Sequence, residues 1–131
     1  MNRKILLIED NEQNLYLATY LLEKNGYGVV PARSGLEGVA LAGDVRPDLI
    51  ILDIQLPGMD GYTVAHELRR IGALQATPIV AVTSYAMVGD RQRCLAAGCT
   101  GYIEKPINPD TFLKEIEAYL PNRPVDGELS P

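Results

Sequence analysis

Three acidic side chains follow apolar runs that have the length of buried strands. Glu9 and Asp10 come directly after KILLI, and Asp53 ends the run LIILD. A carboxylate at the end of an apolar strand is costly to bury unless its charge is used, so these acids mark a candidate site. If the two strands are neighbours, the carboxylates repel one another, and either one holds a proton or a cation lies among them. Oxygen ligands with open positions suit Mg²⁺, which commonly bridges to a phosphate oxygen.

A hydroxyl and an ammonium group follow two later apolar runs. Thr83 ends PIVAVT, and Lys105 follows GYIE. Together with a carboxylate and a divalent ion, these groups are the ones that stabilise a transferring phosphoryl group. Asp53 is the candidate nucleophile, because its strand lies between the acid pair and the Thr83 and Lys105 pair. The backbone carbonyl of Gln55, in the turn after Asp53, is a further candidate metal ligand.

Each of these residues also has an ordinary structural interpretation. Acids after strands often cap helices, and Asp10 is as suitable for a cap as for a metal ligand. Thr83 taken alone is an ordinary strand end, and Lys105 taken alone is an ordinary surface lysine. All of them lie at the carboxyl ends of strands of one predicted sheet, and this shared placement favours the functional interpretation.

The elements that would position these residues are five short apolar runs, which alternate with segments of helical period. The predicted strands cover residues 4–8, 27–32, 48–53, 78–83 and 101–104. The predicted helices cover residues 11–26, 34–43, 61–71 and 87–97, and a fifth begins with Asn108 as cap and Pro109 as its first residue. The other expected N-caps are Asn11, Asp60 and Ser34, the last with Glu37 at capping-box spacing.

The strand pattern predicts an α/β fold with a parallel sheet. The strands are continuous apolar runs, which is typical of parallel strands that are covered on both faces. Pro31 cannot donate to a neighbouring strand, so the second strand is expected at an edge. The flavodoxin-like (βα)5 arrangement with strand order 2-1-3-4-5 fits, and its switch point lies between the first and third strands. Ligands bind at the carboxyl ends of strands beside that point.

Composition predicts one cytoplasmic globular domain. The chain has 131 residues, of which 47% are hydrophobic and 22% charged, and its formal net charge is −5. Because no basic run interrupts this negative charge, direct nucleic-acid binding is not expected. The four apolar residues near the start are too few for a signal peptide or for membrane insertion. Residues 1–120 are expected to form the domain, and the polar, proline-rich residues 121–131 a disordered tail.

The motifs around the candidate site resemble those of the receiver domains of two-component response regulators. The matching segments are IEDN from Ile8, LDIQLPGMDG from Leu52, VTSYA from Val82 and KPI from Lys105. The resemblance covers about residues 3–120, and the joint pattern is highly specific. It implies a single-domain response regulator that catalyses only its own phosphorylation and dephosphorylation.

The resemblance implies a role for each residue of the site. Asp53 is implied to accept a phosphoryl group from a histidine kinase or a histidine phosphotransfer protein. Thr83 and Lys105 would each contact a phosphoryl oxygen. The residues implied to hold Mg²⁺, with Mn²⁺ as an alternative ion, are Asp53, Glu9, Asp10 and Gln55 through its backbone carbonyl.

The resemblance also implies a conformational switch. Tyr102 matches an aromatic position whose ring turns inward when Thr83 shifts toward the phosphoryl group; a half-buried strand tyrosine is the alternative. The Lys105–Pro106 bond matches one that is cis in this family. The face formed by the fourth helix, the fifth strand and the fifth helix is the expected output surface for a downstream protein. A monomer, or a dimer that depends on phosphorylation, is expected.

Two variable positions of the family carry large side chains in this sequence. Gln55 lies two residues after Asp53, and Tyr85 lies two residues after Thr83. In the family these positions tune the access of hydrolytic water. Bulk at both positions predicts a shielded acyl phosphate and a long-lived phosphorylated state.

Three other functions are compared with this one. The same motifs resemble receiver modules that are fused to hybrid histidine kinases. A phosphohydrolase with an aspartate nucleophile would place a general acid two residues after Asp53, where Gln55 stands, and is therefore disfavoured. A flavin or nucleotide binder is disfavoured because the first loop, EDNEQN, is acidic and lacks glycine.

Overall fold

The computed structural model of the chain describes residues 3–84 and 88–120, and its centre is a sheet of five parallel strands. The strands are β1 (Lys4–Ile8), β2 (Gly28–Ala32), β3 (Leu49–Asp53), β4 (Ile79–Thr83) and β5 (Gly101–Glu104). Their order in the sheet is β2-β1-β3-β4-β5. The predicted flavodoxin-like α/β fold is therefore confirmed, with β2 at an edge.

Helices cover both faces of the sheet and divide the core into two layers. They are α1 (Glu12–Lys24), α2 (Gly35–Val45), α3 (Gly61–Arg69), α4 (Val88–Ala96) and α5 (Phe112–Glu117). Successive side chains of a strand point to opposite faces. Leu6 and Ile8 of β1 therefore pack in the layer with α2, α3 and α4, whereas Ile5 and Leu7 pack in the layer with α1 and α5.

Three of the predicted N-caps begin helices. Asn11, Ser34 and Asp60 each accept a side-chain hydrogen bond from the backbone N–H three residues later, at 2.9, 3.1 and 2.9 Å. In a capping box the Glu37 carboxylate would accept from the N–H of Ser34. Here it accepts from the N–H of Arg33, the residue before Ser34, at 2.7 Å. Side-chain capping thus fixes where α1 starts after β1, where α2 starts after β2, and where α3 starts after the loop that follows β3.

Three predicted helix ends were wrong, and the first is that of α1, which ends at Lys24 rather than at residue 26. Helix α2 continues past Gly43 to Val45 and stops at Arg46, which has a left-handed φ of 50°. Pro47 accounts for this end, because a proline disfavours helical backbone at the residue before it. Helix α3 ends at Arg69 rather than at residue 71, and a short 3₁₀ helix follows over Gly72–Leu74.

The predicted start of the last helix was also wrong. Helix α5 begins at Phe112, and Asn108 instead closes a turn that precedes the helix. The Asn108 side chain accepts from the N–H of Asp110 at 2.9 Å, and its carbonyl accepts from the N–H groups of Thr111 and Phe112. Local side-chain bonds of this kind compete with helical ones. The expected tail, residues 121–131, and the predicted helix position Met87 lie outside the described residues.

Candidate functional site

The acidic residues lie side by side at the carboxyl ends of β1 and β3. In this pair of strands Ile8 stands opposite Leu52, so Glu9 and Asp53, each one residue further on, also stand opposite each other. One carboxylate oxygen from each of Glu9, Asp10 and Asp53 lies within 4.8 Å of the other two. Glu9 and Asp53 are 3% and 2% exposed, whereas Asp10 is exposed. The three carboxylates are close enough to share one cation.

Backbone N–H groups orient the two buried carboxylates. The N–H of Asn11, the N-cap of α1, donates to Glu9 Oε2 at 3.1 Å. The N–H of Gln55 donates to Asp53 Oδ1 at 2.9 Å. Each acid is therefore held by the loop that directly follows its own strand.

Lys105 follows β5 and approaches Asp53 from the side opposite to β1, the strand that carries the acid pair. Its Nζ lies 2.9 Å from Asp53 Oδ1, and its side chain is 18% exposed. The Lys105 backbone N–H donates to the carbonyl of Thr83 at 2.8 Å, and the Lys105–Pro106 peptide bond is cis. Thr83 is the last residue of β4 and is buried. The carboxylate of Asp53, the ammonium group of Lys105 and Thr83, a residue with a hydroxyl group, thus lie together at the carboxyl ends of the central strands.

The electrostatics of the site centre on Glu9. Burial, as the largest cause, and the nearby Asp53 carboxylate together raise the pKa of Glu9 from 4.5 to about 7. The N–H of Asn11 and the charge of Lys105 act in the opposite direction and lower this pKa. Burial and the neighbouring acid dominate, so Glu9 holds a proton at a pH where an exposed glutamate has lost it.

This raised pKa predicts that Glu9 makes folding pH-dependent in EDTA. Between pH 4.5 and 7 the folded chain keeps a proton that the unfolded chain has lost, so this contribution to stability is complete below pH 4.5 and is lost as the pH rises through 7. Glu9→Gln mimics the protonated acid. In urea denaturation, the free energy of unfolding of the variant minus that of the wild type should increase by about 1–3 kcal/mol from pH 4.5 to pH 8.

A matched variant separates this effect from a general one. Glu23 is an exposed glutamate of α1, and Glu23→Gln should differ from the wild type by the same amount at both pH values. A Glu9→Gln difference that does not change with pH would show that the folded protein does not hold this proton.

Two contacts at the site were not predicted from the sequence. The side-chain carbonyl of Gln55 accepts a hydrogen bond from the N–H of Ser84 at 3.0 Å. The guanidinium of Arg91, on α4, lies 5.0 Å from the centre of the half-buried Tyr102 ring on β5. Strand register could have indicated the first contact, but nothing in the helical pattern of α4 indicates which ring Arg91 covers.

Gly61 brings α3 into direct contact with the loop after Asp53. Its N–H donates to the carbonyl of Ile54 at 3.0 Å. A Cβ at this position would overlap the Cα of Ile54 and lie 2.9 Å from the carbonyl oxygen of Asp53. The absence of a side chain at Gly61 therefore permits the close approach that fixes the Asp53 backbone.

The expected site residue Tyr85 lies outside the described residues. Within residues 3–84 and 88–120, no helix combines the length and the apolar character that a membrane crossing requires.

Comparisons with known proteins agree on one family along nearly the whole described chain. The family model "Response regulator receiver domain" matches residues 5–117. The polar-differentiation response regulator DivK of Brucella anthropi is 42% identical over 120 residues, which cover 92% of this chain and 98% of that protein.

Solved structures extend the likeness to three dimensions. The chemotaxis response regulator CheY4 of Vibrio cholerae superposes with a TM-score of 0.88 at 32% identity, over 92% of this chain and all of that chain. The receiver domain of the sensor histidine kinase PA1611 from Pseudomonas aeruginosa, which carries a magnesium ion in its active site cleft, has a TM-score of 0.83 at 34% identity, over 91% of this chain and 98% of that chain. Sequence and fold together show that this chain belongs to the response regulator receiver domains of two-component signalling.

Proposed function

We propose that this receiver domain accepts a phosphoryl group on Asp53 from the phosphohistidine of a histidine kinase or a histidine phosphotransfer protein in the cytoplasm. The observation that carries the proposal is the position of Asp53, which lies 2.9 Å from Lys105 Nζ and within 4.8 Å of Glu9 and Asp10. A buried carboxylate between a fixed cation and an acid pair has the surroundings that phosphoryl transfer requires.

The donor set fits a divalent metal ion. Carboxylate oxygens that lie this close together suit Mg²⁺, or Mn²⁺ as an alternative ion. The proposed ligands are Glu9, Asp10, Asp53 and the backbone carbonyl of Gln55. When bound, the ion would neutralise charge on the phosphoryl oxygens and on the acids.

The residues of the chain supply the rest of the chemistry. An Asp53 carboxylate oxygen attacks phosphorus in line with the leaving imidazole nitrogen. The new P–O bond forms as the P–N bond breaks, and the imidazole keeps the electron pair and takes up a proton. Lys105 balances the added negative charge, and the hydroxyl of Thr83 donates to a phosphoryl oxygen.

The output surface of the proposal is the face formed by α4, β5 and α5. Tyr102 lies on β5 in this face and contacts Arg91 of α4. A shift of Thr83 toward the phosphoryl group would change the space available to the Tyr102 ring, and so the surface offered to a downstream protein. We propose that the phosphorylated form signals by binding such a protein, as a monomer or as a phosphorylation-dependent dimer.

A single-domain regulator is the favoured form of this proposal, because the match to DivK spans 98% of that protein. A receiver module of a hybrid histidine kinase is the second candidate, favoured by the likeness to the receiver of PA1611. In both forms the domain catalyses only its own phosphorylation and dephosphorylation. A phosphohydrolase is disfavoured because Gln55 offers no general acid beside Asp53.

Intact mass spectrometry tests the phosphoacceptor. After incubation with acetyl phosphate and Mg²⁺, the wild type should gain a single phosphate, and EDTA should prevent the gain. Asp53→Asn should gain none because its carboxamide is not a competent nucleophile. Asp60→Asn is the matched control: asparagine also caps a helix, so this variant should react like the wild type. A wild type that gains no phosphate, or an Asp53→Asn variant that gains one, would contradict the proposal.

A further inference from the structure

The side chain of Gln55 joins the two loops that flank Asp53. Its carbonyl oxygen accepts from the N–H of Ser84 at 3.0 Å, while its own backbone N–H donates to Asp53 Oδ1 at 2.9 Å. One residue thereby connects the Asp53 carboxylate, the loop after β3 and the loop after β4.

Strand register explains why Gln55 reaches Ser84. In the parallel pair of β3 and β4, Asp53 stands opposite Val82, and the N–H of Ile54 still donates to the carbonyl of Val82 at 3.1 Å. Gln55 and Ser84 each lie two residues further along, so the register places them opposite each other. A glutamine side chain is long enough to make the bond between loops that the backbone no longer makes.

The position of Ser84 gives this bond a consequence for the reaction. Ser84 directly follows Thr83, whose hydroxyl must move toward the phosphoryl group on Asp53 in the proposed function. A bond that holds the Ser84 N–H also restrains the backbone of Thr83. Phosphoryl oxygens are charged and accept hydrogen bonds more strongly than a neutral carboxamide, so phosphorylation favours release of this bond.

We propose that Gln55 is a positioning residue whose side-chain carbonyl straps the backbone of Ser84 in its unphosphorylated position and slows phosphorylation. The inference rests on the proposed function of Asp53. It differs from shielding by bulk, in which Gln55 acts only by excluding water from the acyl phosphate. The strap requires the acceptor oxygen, whereas shielding requires only the size of the side chain.

Variants of Gln55 separate these two roles. Gln55→Met keeps the length and bulk of the side chain but removes the acceptor, and Gln55→Ala removes both. Gln55→Glu keeps an acceptor oxygen and is the conservative variant. The first measurement is amide hydrogen exchange at Ser84 by NMR, in the full chain without phosphodonor or Mg²⁺. Thermal unfolding of each variant confirms that it is folded.

Loss of one hydrogen bond should raise Ser84 exchange about three- to tenfold in both the Met and the Ala variants, while the Glu variant stays close to the wild type. The second measurement is the rate of phosphorylation by acetyl phosphate with Mg²⁺, in which an Asp53 oxygen bonds to phosphorus as acetate leaves. This rate should rise in the Met and Ala variants by a similar factor. The lifetime of the phosphorylated Met variant should stay close to that of the wild type, because its bulk is retained.

Ser84 exchange in Gln55→Met equal to that of the wild type would overturn the strap. Faster exchange with an unchanged phosphorylation rate would show that the bond exists but does not restrain the reaction, which also overturns the proposal. Because the exchange measurement needs no phosphodonor, it separates failure of the strap from failure of Asp53 as phosphoacceptor. In the latter case the wild type itself gains no phosphate.

Discussion

Replacement of Gly61 by alanine is expected to lower the free energy of unfolding by about 3 kcal/mol and to displace the loop that carries Asp53. The added Cβ would overlap the Cα of Ile54 and lie 2.9 Å from the carbonyl oxygen of Asp53. Both are backbone atoms, which cannot rotate away as a side chain does. The N-terminal turn of α3 must therefore move away from the loop, and the Gly61 to Ile54 hydrogen bond is stretched or lost.

Gly43 provides the matched control, because it lies within helix α2 and a Cβ there meets no heavy atom within 4 Å. Gly43→Ala should raise stability by about 0.5–1 kcal/mol, since alanine loses less conformational freedom on folding. Urea denaturation measures both variants, and acetyl phosphate labelling measures the displacement of Asp53 as a slower reaction. A Gly61→Ala protein as stable and as reactive as the wild type would mean that this contact does not constrain the site.

Replacement of Arg69 by methionine is expected to lower stability by a similar amount, about 3 kcal/mol, without touching the site. The Arg69 guanidinium donates to the carbonyls of Gly98, Leu74 and Thr77 at 2.8, 2.7 and 2.7 Å. These carbonyls belong to two segments: Leu74 and Thr77 lie in the connection that leads into β4, and Gly98 lies before β5. Methionine keeps the aliphatic stem but leaves the half-buried carbonyl oxygens without this donor.

Two further variants test the explanation for Arg69. Arg69→Lys keeps the charge, but one ammonium group cannot reproduce the planar fork that reaches three carbonyls, so most of the loss should remain. Arg70→Met is the control at the neighbouring residue: its side chain is 70% exposed and lies 3.4 Å from Glu67. Its effect should stay below about 0.5 kcal/mol. Equal losses for Arg69→Met and Arg70→Met in urea denaturation would contradict this account.

The sheet could be predicted from the sequence because its signals are local and repeated. Continuous apolar runs indicated parallel strands, and Pro31 indicated an edge, which β2 occupies. The same register brings Glu9 beside Asp53, so the acid cluster followed from the fold. These inferences need only strand direction and the rule that ligands lie at the switch point.

Helix ends and long-range side-chain contacts could not be predicted in the same way. Asparagine is a preferred N-cap residue, but Asn108 forms hydrogen bonds within a turn that precedes the helix. Whether the helix starts at Asn108 or after this turn depends on a few local hydrogen bonds of similar free energy. From its sequence position Arg69 is an ordinary charged residue at a helix end; its role depends on the folded positions of three carbonyls, of which that of Gly98 is 29 residues away. The raised pKa of Glu9 depends on burial, which a sequence does not specify residue by residue.

Helix α4 is attached to the domain in a different way from α3. Among the α4 side chains at residues 89–96, Cys94 is the buried one, whereas α3 buries Val64, Ala65 and Leu68. Two arginines of α4 add ring contacts: Arg91 lies over the ring of Tyr102, and Arg93 lies at 4.1 Å over the ring of Tyr62 on α3.

Stacks of this kind contribute only about 0.5–1 kcal/mol each where they are exposed to water. They also depend less on direction than hydrogen bonds do, so a guanidinium can slide across a ring. It follows that α4 has a lower local stability than α3, because its described side chains add only Cys94 to the core layer that it shares with α3.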